Sequence, residues 1–312
     1  MADLINQASV LLDDLYEAFF FQIFYLIIRE IRDFLTAQPD FFYFRENLAC
    51  VMGRKVALIG IGNLAHSLLP GLKAAGCEIL QLISRNEEKL KSYQEKYEVA
   101  QISKHFHELH PEAELVFLCL PDSLIQPTAE KLAELGRKDC LFLHTSGSIP
   151  LKTMEVLGER IGVFYPMQIF TKDRITPFDD LPLFLEGNED VYPIIDELAK
   201  AMSSKVYPLD SEDRLRLHMG AVMVCNFTNY LYRMAEENMP QKEGVHFNLY
   251  EPLIREHIDK VFNFGPQNTQ TGPAIRKDLP TILQHLHLLE EKELQQDLYW
   301  EMSKMIRPDL EI

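Results

Sequence analysis

From Lys55 onward, short apolar runs alternate with stretches whose apolar residues recur at helical spacing. This is the pattern of a parallel sheet built from strand-helix-strand units, because strands covered on both faces read as continuous hydrophobic runs. The runs predict strands over 56–59, 78–83, 99–102, 115–120 (LVFLCL), 141–144, 162–165, 183–185 and 205–207. Helices are predicted over 65–75, ended by Gly76, and over 127–135, from Pro127 to Leu135. Beyond Asp210 the texture changes to long helical patterns over 214–238, 249–263, 279–287 and 290–305. A domain boundary is therefore expected after Asp210, with an α/β part at 52–210 and an all-helical part at 211–312. No internal repeat or Gly/Ser linker separates them.

The segment Ala18 to Ile28 (AFFFQIFYLII) is strongly apolar, yet shorter than the roughly 18 residues a membrane span requires. Asp13, Asp14 and Glu17 precede it where a signal peptide carries basic residues. Residues 1–51 are read as an addition to the folded protein, either an amphipathic helical extension or sequence upstream of the true start. The second is preferred, since Met52-Gly53-Arg54-Lys55 followed at once by a strand is a common way for such α/β enzymes to begin.

Composition narrows the function. The 312 residues carry 31 Lys plus Arg against 47 Asp plus Glu, a formal charge of -16 that would repel both a phosphate backbone and an anionic membrane surface. No nucleic acid and no membrane are expected as partners. Cys50, Cys77, Cys119, Cys140 and Cys225 show no C-x-x-C spacing, and most sit in apolar runs where a thiol behaves as a small hydrophobe. That fits a reducing cytoplasm and predicts no metal site.

The most specific motif is Gly60-Ile61-Gly62-Asn63-Leu64-Ala65, a G-x-G-x-x-A directly after a predicted strand and opening a helix. In a Rossmann doubly wound sheet Gly60 permits the tight turn and Gly62 lets the backbone approach a pyrophosphate. Ala65 lets helix and strand pack closely, while N–H groups at the helix start hold the anion. At the end of the second strand, where NAD enzymes place a carboxylate on the ribose, this chain has Ser84-Arg85-Asn86. These side chains can donate hydrogen bonds to a 2′-phosphate, which a carboxylate would repel, so NADP is expected rather than NAD. The ordinary alternative for Arg85 is a solvated surface charge. Leu120, Pro121 and Asp122 follow the fourth strand at the edge where the nicotinamide half would pass, though Pro and Asp there are also plain turn chemistry.

Three segments are candidates for the substrate side. They are His144-Thr145-Ser146-Gly147-Ser148, Phe164-Tyr165-Pro166-Met167-Gln168, and the long helix with His218, Cys225, Asn226 and Asn229. Counted at 100° per residue, His218 and Asn229 share a narrow arc with Cys225 between them and Asn226 at its margin. That arc reads equally as a ligand-facing surface or as a hydrogen-bonded helix interface in a dimer. Arg276, after the Thr271-Gly272-Pro273 turn, could clamp a substrate carboxylate or pair with one of the many acidic side chains.

The motifs GIGNLA, SRN, HTSGS, VFYPMQIF, LHMGAVMVCNFTN and TGPAIRKD, in this order, resemble the bacterial Rossmann-like NADP oxidoreductases whose C-terminal part is catalogued as domain of unknown function 2520. The likeness runs from Met52 to the C-terminus and leaves out 1–51. The group is similar to pyrroline-5-carboxylate reductases, deazaflavin-dependent NADP reductases and β-hydroxyacid dehydrogenases. The resemblance implies a Rossmann domain followed by a helical substrate and dimerisation domain of the 6-phosphogluconate dehydrogenase C-terminal type, and a homodimer. It implies the reaction only loosely, because fold does not fix function.

β-Hydroxyacid dehydrogenases carry Lys-x-x-x-Asn on the first long helix, and placing their Asn on Asn226 puts Val222 where the Lys would be. A reduced ketone needs a proton donor, whereas an imine can enter already protonated. His218, with His144 as competitor, is expected as donor if the substrate is a ketone. The resulting expectation is hydride transfer from NADPH to a carbonyl or imine carbon of a small, carboxylate-bearing metabolite. Catalytic candidates are His218, Asn226, His144, Ser146 and Arg276. A non-catalytic NADPH-binding protein that reports redox state is the alternative.

Overall fold

The computed structural model describes residues 53–311, and the N-terminal addition expected at 1–51 lies outside the described residues. Two compact units divide the chain, one ending at Ala221 and the other running from Val222 to Ile312.

The first unit is built on an eight-stranded sheet: β1 (Lys55–Ile59), β2 (Glu78–Ile83), β3 (Gln101–Ser103), β4 (Leu115–Leu118), β5 (Leu141–His144), β6 (Ile161–Pro166), β7 (Leu183–Gly187) and β8 (Val206–Pro208). Their spatial order is β3-β2-β1-β4-β5-β6-β7-β8, so the first six follow the doubly wound order with its reversal between β1 and β4. β1 to β6 are parallel; β7 turns antiparallel against β6, and β8 runs parallel to β7.

Alternation within the strands feeds two cores. Val56 and Leu58 of β1 pack on one face with Phe117, Leu143 and Phe164, while Ala57 and Ile59 pack on the other with Val116, Leu118 and Phe142. The first face is covered by helices α1 (Asn63–Ala74), α2 (Glu87–Tyr97) and α4 (Tyr192–Met202). The second is covered by α3 (Asp122–Ala133) and a 3₁₀ segment at Leu151–Leu157. α2 is almost wholly polar and buries only Leu90, Tyr93 and Tyr97.

One expectation from the sequence needs correction. α3 begins at Asp122 with Pro121 before it, five residues ahead of the expected start, and carries Pro127 in its interior. The first compact unit runs to Ala221, eleven residues beyond Asp210, where the sequence changes texture. The reason is that α5 (Ser211–Ala221) is tied into the sheet unit through Arg214 and Ser211.

The second unit contains the π-helical segment Val222–Phe227, α6 (Thr228–Glu237), α7 (Glu251–Phe264), the short α8 (Pro273–Arg276), α9 (Leu279–Leu288) and α10 (Glu293–Ile306). Ala274, Ile282 and Leu310 form its small core, with Leu279, Leu286, Tyr299 and Trp300 against it. Asp278 caps α9, accepting from the Thr281 N–H at 3.3 Å and from its hydroxyl at 2.8 Å. The π-helical backbone bonds i to i+5, so the arc counted at 100° per residue does not hold through Val222–Phe227. No helix among the described residues is long and apolar enough to cross a membrane.

Candidate active site

β1 is followed by Gly60, whose φ of +94° and hydrogen bond to the Ile83 carbonyl at 2.8 Å make the turn into α1. A Cβ at Gly60 would stand 2.3 Å from the Cys119 carbonyl oxygen, so only glycine passes between the ends of β1 and β4. Gly62 is the residue preceding α1. No side chain caps this helix and no acidic residue sits in its first turn, and a Cβ at Gly62 would meet nothing within 4 Å. Free N–H groups, a positive helix end and open space together fit the pyrophosphate of a dinucleotide.

A cavity of about 490 Å³ opens at this turn, in the size range of small-molecule sites. It is lined by Gly60, Gly62, Ser84, Arg85, Asn86, Leu120 and Pro121, with Lys89, Lys104 and Phe106 also on its wall. Asn86 uses its side-chain oxygen to cap α2, accepting from Lys89 N–H at 2.9 Å. Lys104 pairs with Glu87, and that hydrogen bond, with a second from Lys91, pulls the Glu87 carboxyl down to about 2.

Not every expected cofactor residue faces this cavity. Asn63 donates to the Phe170 carbonyl at 3.2 Å and so anchors the segment after β6 over the start of α1. Leu64 and Ala65 pack into the core, which suits Ala65's expected part in close helix packing. Asp122 accepts the hydroxyl of Ser148, joining the start of α3 to the loop after β5.

At the carboxyl ends of β5 and β6 the first unit brings three candidates together. His144 is fully buried; its Nδ1 accepts the Ser146 N–H at 3.2 Å and its Nε2 has no partner among the described residues. Burial, helped by the Arg214 charge, pushes its imidazole down to about 3. His144 is therefore neutral near pH 7 and cannot serve as an imidazolium acid. Ser146 turns its oxygen inward, accepting from Ser148 N–H and Ile149 N–H at 3.1 Å each, which shapes the loop. His218 lies on α5 with Nδ1 3.2 Å from the Tyr165 hydroxyl. Asn226 and Arg276 belong to the second unit, where both are exposed.

The sequence did not point to Arg214. It is 1% exposed, pairs through Nη1 with Glu186, and donates through Nη2 to the Ile149 carbonyl at 2.6 Å. Ser211 completes the cluster, donating to Glu186 at 2.9 Å while accepting the Leu151 N–H at 2.9 Å. The guanidinium thus ties the loop after β5 to α5, and its charge acts on both His144 and Tyr165.

The family model described as "NADP oxidoreductase coenzyme F420-dependent" matches residues 55–141, and "Domain of unknown function (DUF2520)" matches residues 181–306. Among solved structures, "putative NADP oxidoreductase BF3122" from Bacteroides fragilis is 37% identical, with a TM-score of 0.75 over 83% of this chain and 99% of that one. Protein TM1727 from Thermotoga maritima is 23% identical, with a TM-score of 0.61 over 81% of this chain and 97% of that one. An imine reductase from Myxococcus stipitatus in complex with NADP⁺ is 14% identical, with a TM-score of 0.59 over 81% and 93%. The last two likenesses show a shared fold. No curated protein matches the chain.

Proposed function

The chain belongs to the NADP oxidoreductase family of the Bacteroides fragilis protein and is an NADP-dependent oxidoreductase, and from that premise we propose that it reduces the carbonyl or imine carbon of a small, carboxylate-bearing metabolite. NADPH supplies the hydride. One observation carries this reading: the uncapped start of α1 opens into a cavity that runs to Ser84-Arg85-Asn86 on one side and to Leu120-Pro121 on the other.

In this reading Gly60 and Gly62 admit the pyrophosphate to the N–H groups of α1. Ser84 and Arg85 hold the 2′-phosphate, with the ammonium groups of Lys89 and Lys104 nearby. The loop His144–Ser148 borders the reacting end, because Ser148 is bonded to Asp122, the residue after Pro121. His144 shapes that end as a neutral group, and His218 supplies proton chemistry from α5 through its contact with Tyr165. A donor pair beside the loop favours a carbonyl substrate over a preprotonated imine. The test is oxidation of NADPH by the full chain with a panel of 2-keto acids, 3-keto acids and cyclic imines. Keto-acid-dependent oxidation is expected, and none with any compound would sink the reading.

The reading extends to a cytoplasmic homodimer acting on small molecules, with neither nucleic acid nor membrane as partner. α7 supports a second copy as partner, since none of its residues is buried in the single chain and Leu253 and Phe262 are 67% and 86% exposed. Sedimentation equilibrium at micromolar protein is expected to return twice the chain mass; a monomer would remove this part.

A further inference from the structure

Tyr165 and His218 come from elements 53 residues apart and meet at the carboxyl edge of the parallel sheet. Tyr165 is the penultimate residue of β6, with its ring buried. The two rings stand edge to face, centroids 6.1 Å apart at 75°, with the phenolic oxygen 3.2 Å from Nδ1. The loop after β5 makes room for them. A Cβ at Gly147 would stand 2.7 Å from both His218 Nδ1 and Tyr165 Cζ, so this position excludes any side chain.

The pair can hold its proton in two ways. With the imidazole neutral and Nδ1 bare, the Tyr165 hydroxyl donates to His218. With both ring nitrogens protonated, Nδ1–H donates to the phenolic oxygen and frees the hydroxyl proton for another acceptor. The charged groups acting on Tyr165 are Arg214 and Asp122: burial raises the phenol, and the Arg214 charge works against that rise. Arg214 is itself neutralised by Glu186, and Asp122 is occupied by Ser148. His144, the other imidazole in this region, stays neutral.

We propose that Tyr165 is the catalytic residue that protonates the reduced substrate oxygen, and that His218 is the positioning residue that returns the proton to it. The proposal rests on the reduction reading above. As hydride reaches the carbonyl carbon, the C=O π pair moves onto oxygen, which takes the proton from Tyr165 Oη. The electron pair of the broken O–H bond stays on the phenolate, which then takes the proton from His218 Nδ1. The imidazole recovers one from solvent. The sum is carbonyl compound, NADPH and a proton giving alcohol and NADP⁺, with acid catalysis on the Tyr165 hydroxyl.

The test uses the full chain with tyrosines labelled with carbon-13 at Cζ, the Tyr165 signal being assigned by its loss in Tyr165→Phe. At a fixed pH that signal is expected to shift in His218→Gln, because the phenolic oxygen loses its ring-nitrogen partner. A signal that stays unmoved in His218→Gln would overturn the proposal without any substrate being involved. On a carbonyl compound that the wild type reduces, Tyr165→Phe is expected to lower kcat by roughly 10² to 10⁴ with NADPH affinity unchanged. His218→Gln is expected to cost less and to act on kcat with KM unchanged, since the phenol still carries its own proton. Full turnover in Tyr165→Phe, or reduction confined to imines and indifferent to it, also overturns the proposal. If the wild type oxidises NADPH with no compound, the reduction reading fails and this proposal with it, while the tyrosine signal still shows whether the pair is coupled.

Discussion

The α-carbon of Gly60 approaches Cys119 so closely that an added Cβ would lie 2.3 Å from the cysteine's carbonyl oxygen, whereas two residues on, at Gly62, the same addition meets nothing within 4 Å. The two glycines of one motif therefore do different work. Gly60→Ala combines a left-handed backbone penalty of about 1–2 kcal/mol with a clash against main chain, and a lowered melting temperature is expected. Gly62→Ala is expected to leave stability within about 0.5 kcal/mol, since φ there is -76° and space is open, while NADPH affinity falls by roughly tenfold or more. Thermal melts and calorimetric titration of both variants decide it. Unimpaired NADPH binding by Gly62→Ala would take the pyrophosphate away from this helix end.

Arg85 reports on cofactor choice. NADPH is expected to bind at least about ten times more tightly than NADH, or about 1.4 kcal/mol, because Ser84 and Arg85 stand where a carboxylate would meet the ribose. Arg85→Ala is expected to weaken NADPH and spare NADH. Equal loss for both cofactors would mean that Arg85 touches the shared part of the molecule instead.

The sheet was legible because its central strands are apolar runs, as in LVFL of β4 and the LFL that precedes His144 in β5, which few other elements produce. The dinucleotide turn was legible because glycine spacing carries a geometric demand, met here at Gly60. Other features were hidden for physical reasons. Pro127 reads as a helix start, yet α3 carries it inside and starts at Asp122, whose carboxylate accepts the Ser148 hydroxyl. α2 escaped because only three of its residues are buried. The π-helical stretch Val222–Phe227 shifts the register that helical counting assumes. Arg214 was invisible because arginine is rarely buried and its partner Glu186 lies 28 residues upstream on a strand. His144, Tyr165 and His218 were each on candidate segments, but their protonation roles depend on burial and contacts that no spacing encodes.

Arg214 also makes a prediction about stability. Its guanidinium is fully buried, and Glu186 is its counter-charge. Arg214→Leu leaves the Glu186 carboxylate and the Ile149 carbonyl without their donors, and a loss of about 3–5 kcal/mol is expected. Arg214→Leu combined with Glu186→Leu is expected to recover part of it, because the buried charge is then removed on both sides. Denaturant unfolding of the single and double variants checks this. A single variant as stable as wild type would show that water replaces the lost donors.

The last prediction concerns acid stability and turns on His144. Its imidazole titrates at about 3 in the folded chain, with burial as the main cause and the Arg214 charge as the second, against a reference value near 6.5 when unfolded. Between those two values the unfolded chain takes up a proton that the folded chain refuses. Protonation therefore favours unfolding: the stability tied to this group is complete above pH 6.5 and is lost as pH falls toward 3, at up to about 1.4 kcal/mol per pH unit. Nδ1 already accepts the Ser146 N–H, so in the neutral ring the proton sits on Nε2, and charging the ring would break that bond as well as bury a cation. His144→Gln retains an acceptor for Ser146 and has nothing to titrate in this window. Relative to wild type, its unfolding free energy is expected to fall less steeply between pH 6.5 and about 4.5, even if it is the less stable protein at pH 7. Urea unfolding at half-unit pH intervals gives the two slopes. Parallel slopes would mean that His144 charges in the folded state, which would restore it as a candidate acid and weaken the assignment of that role to Tyr165.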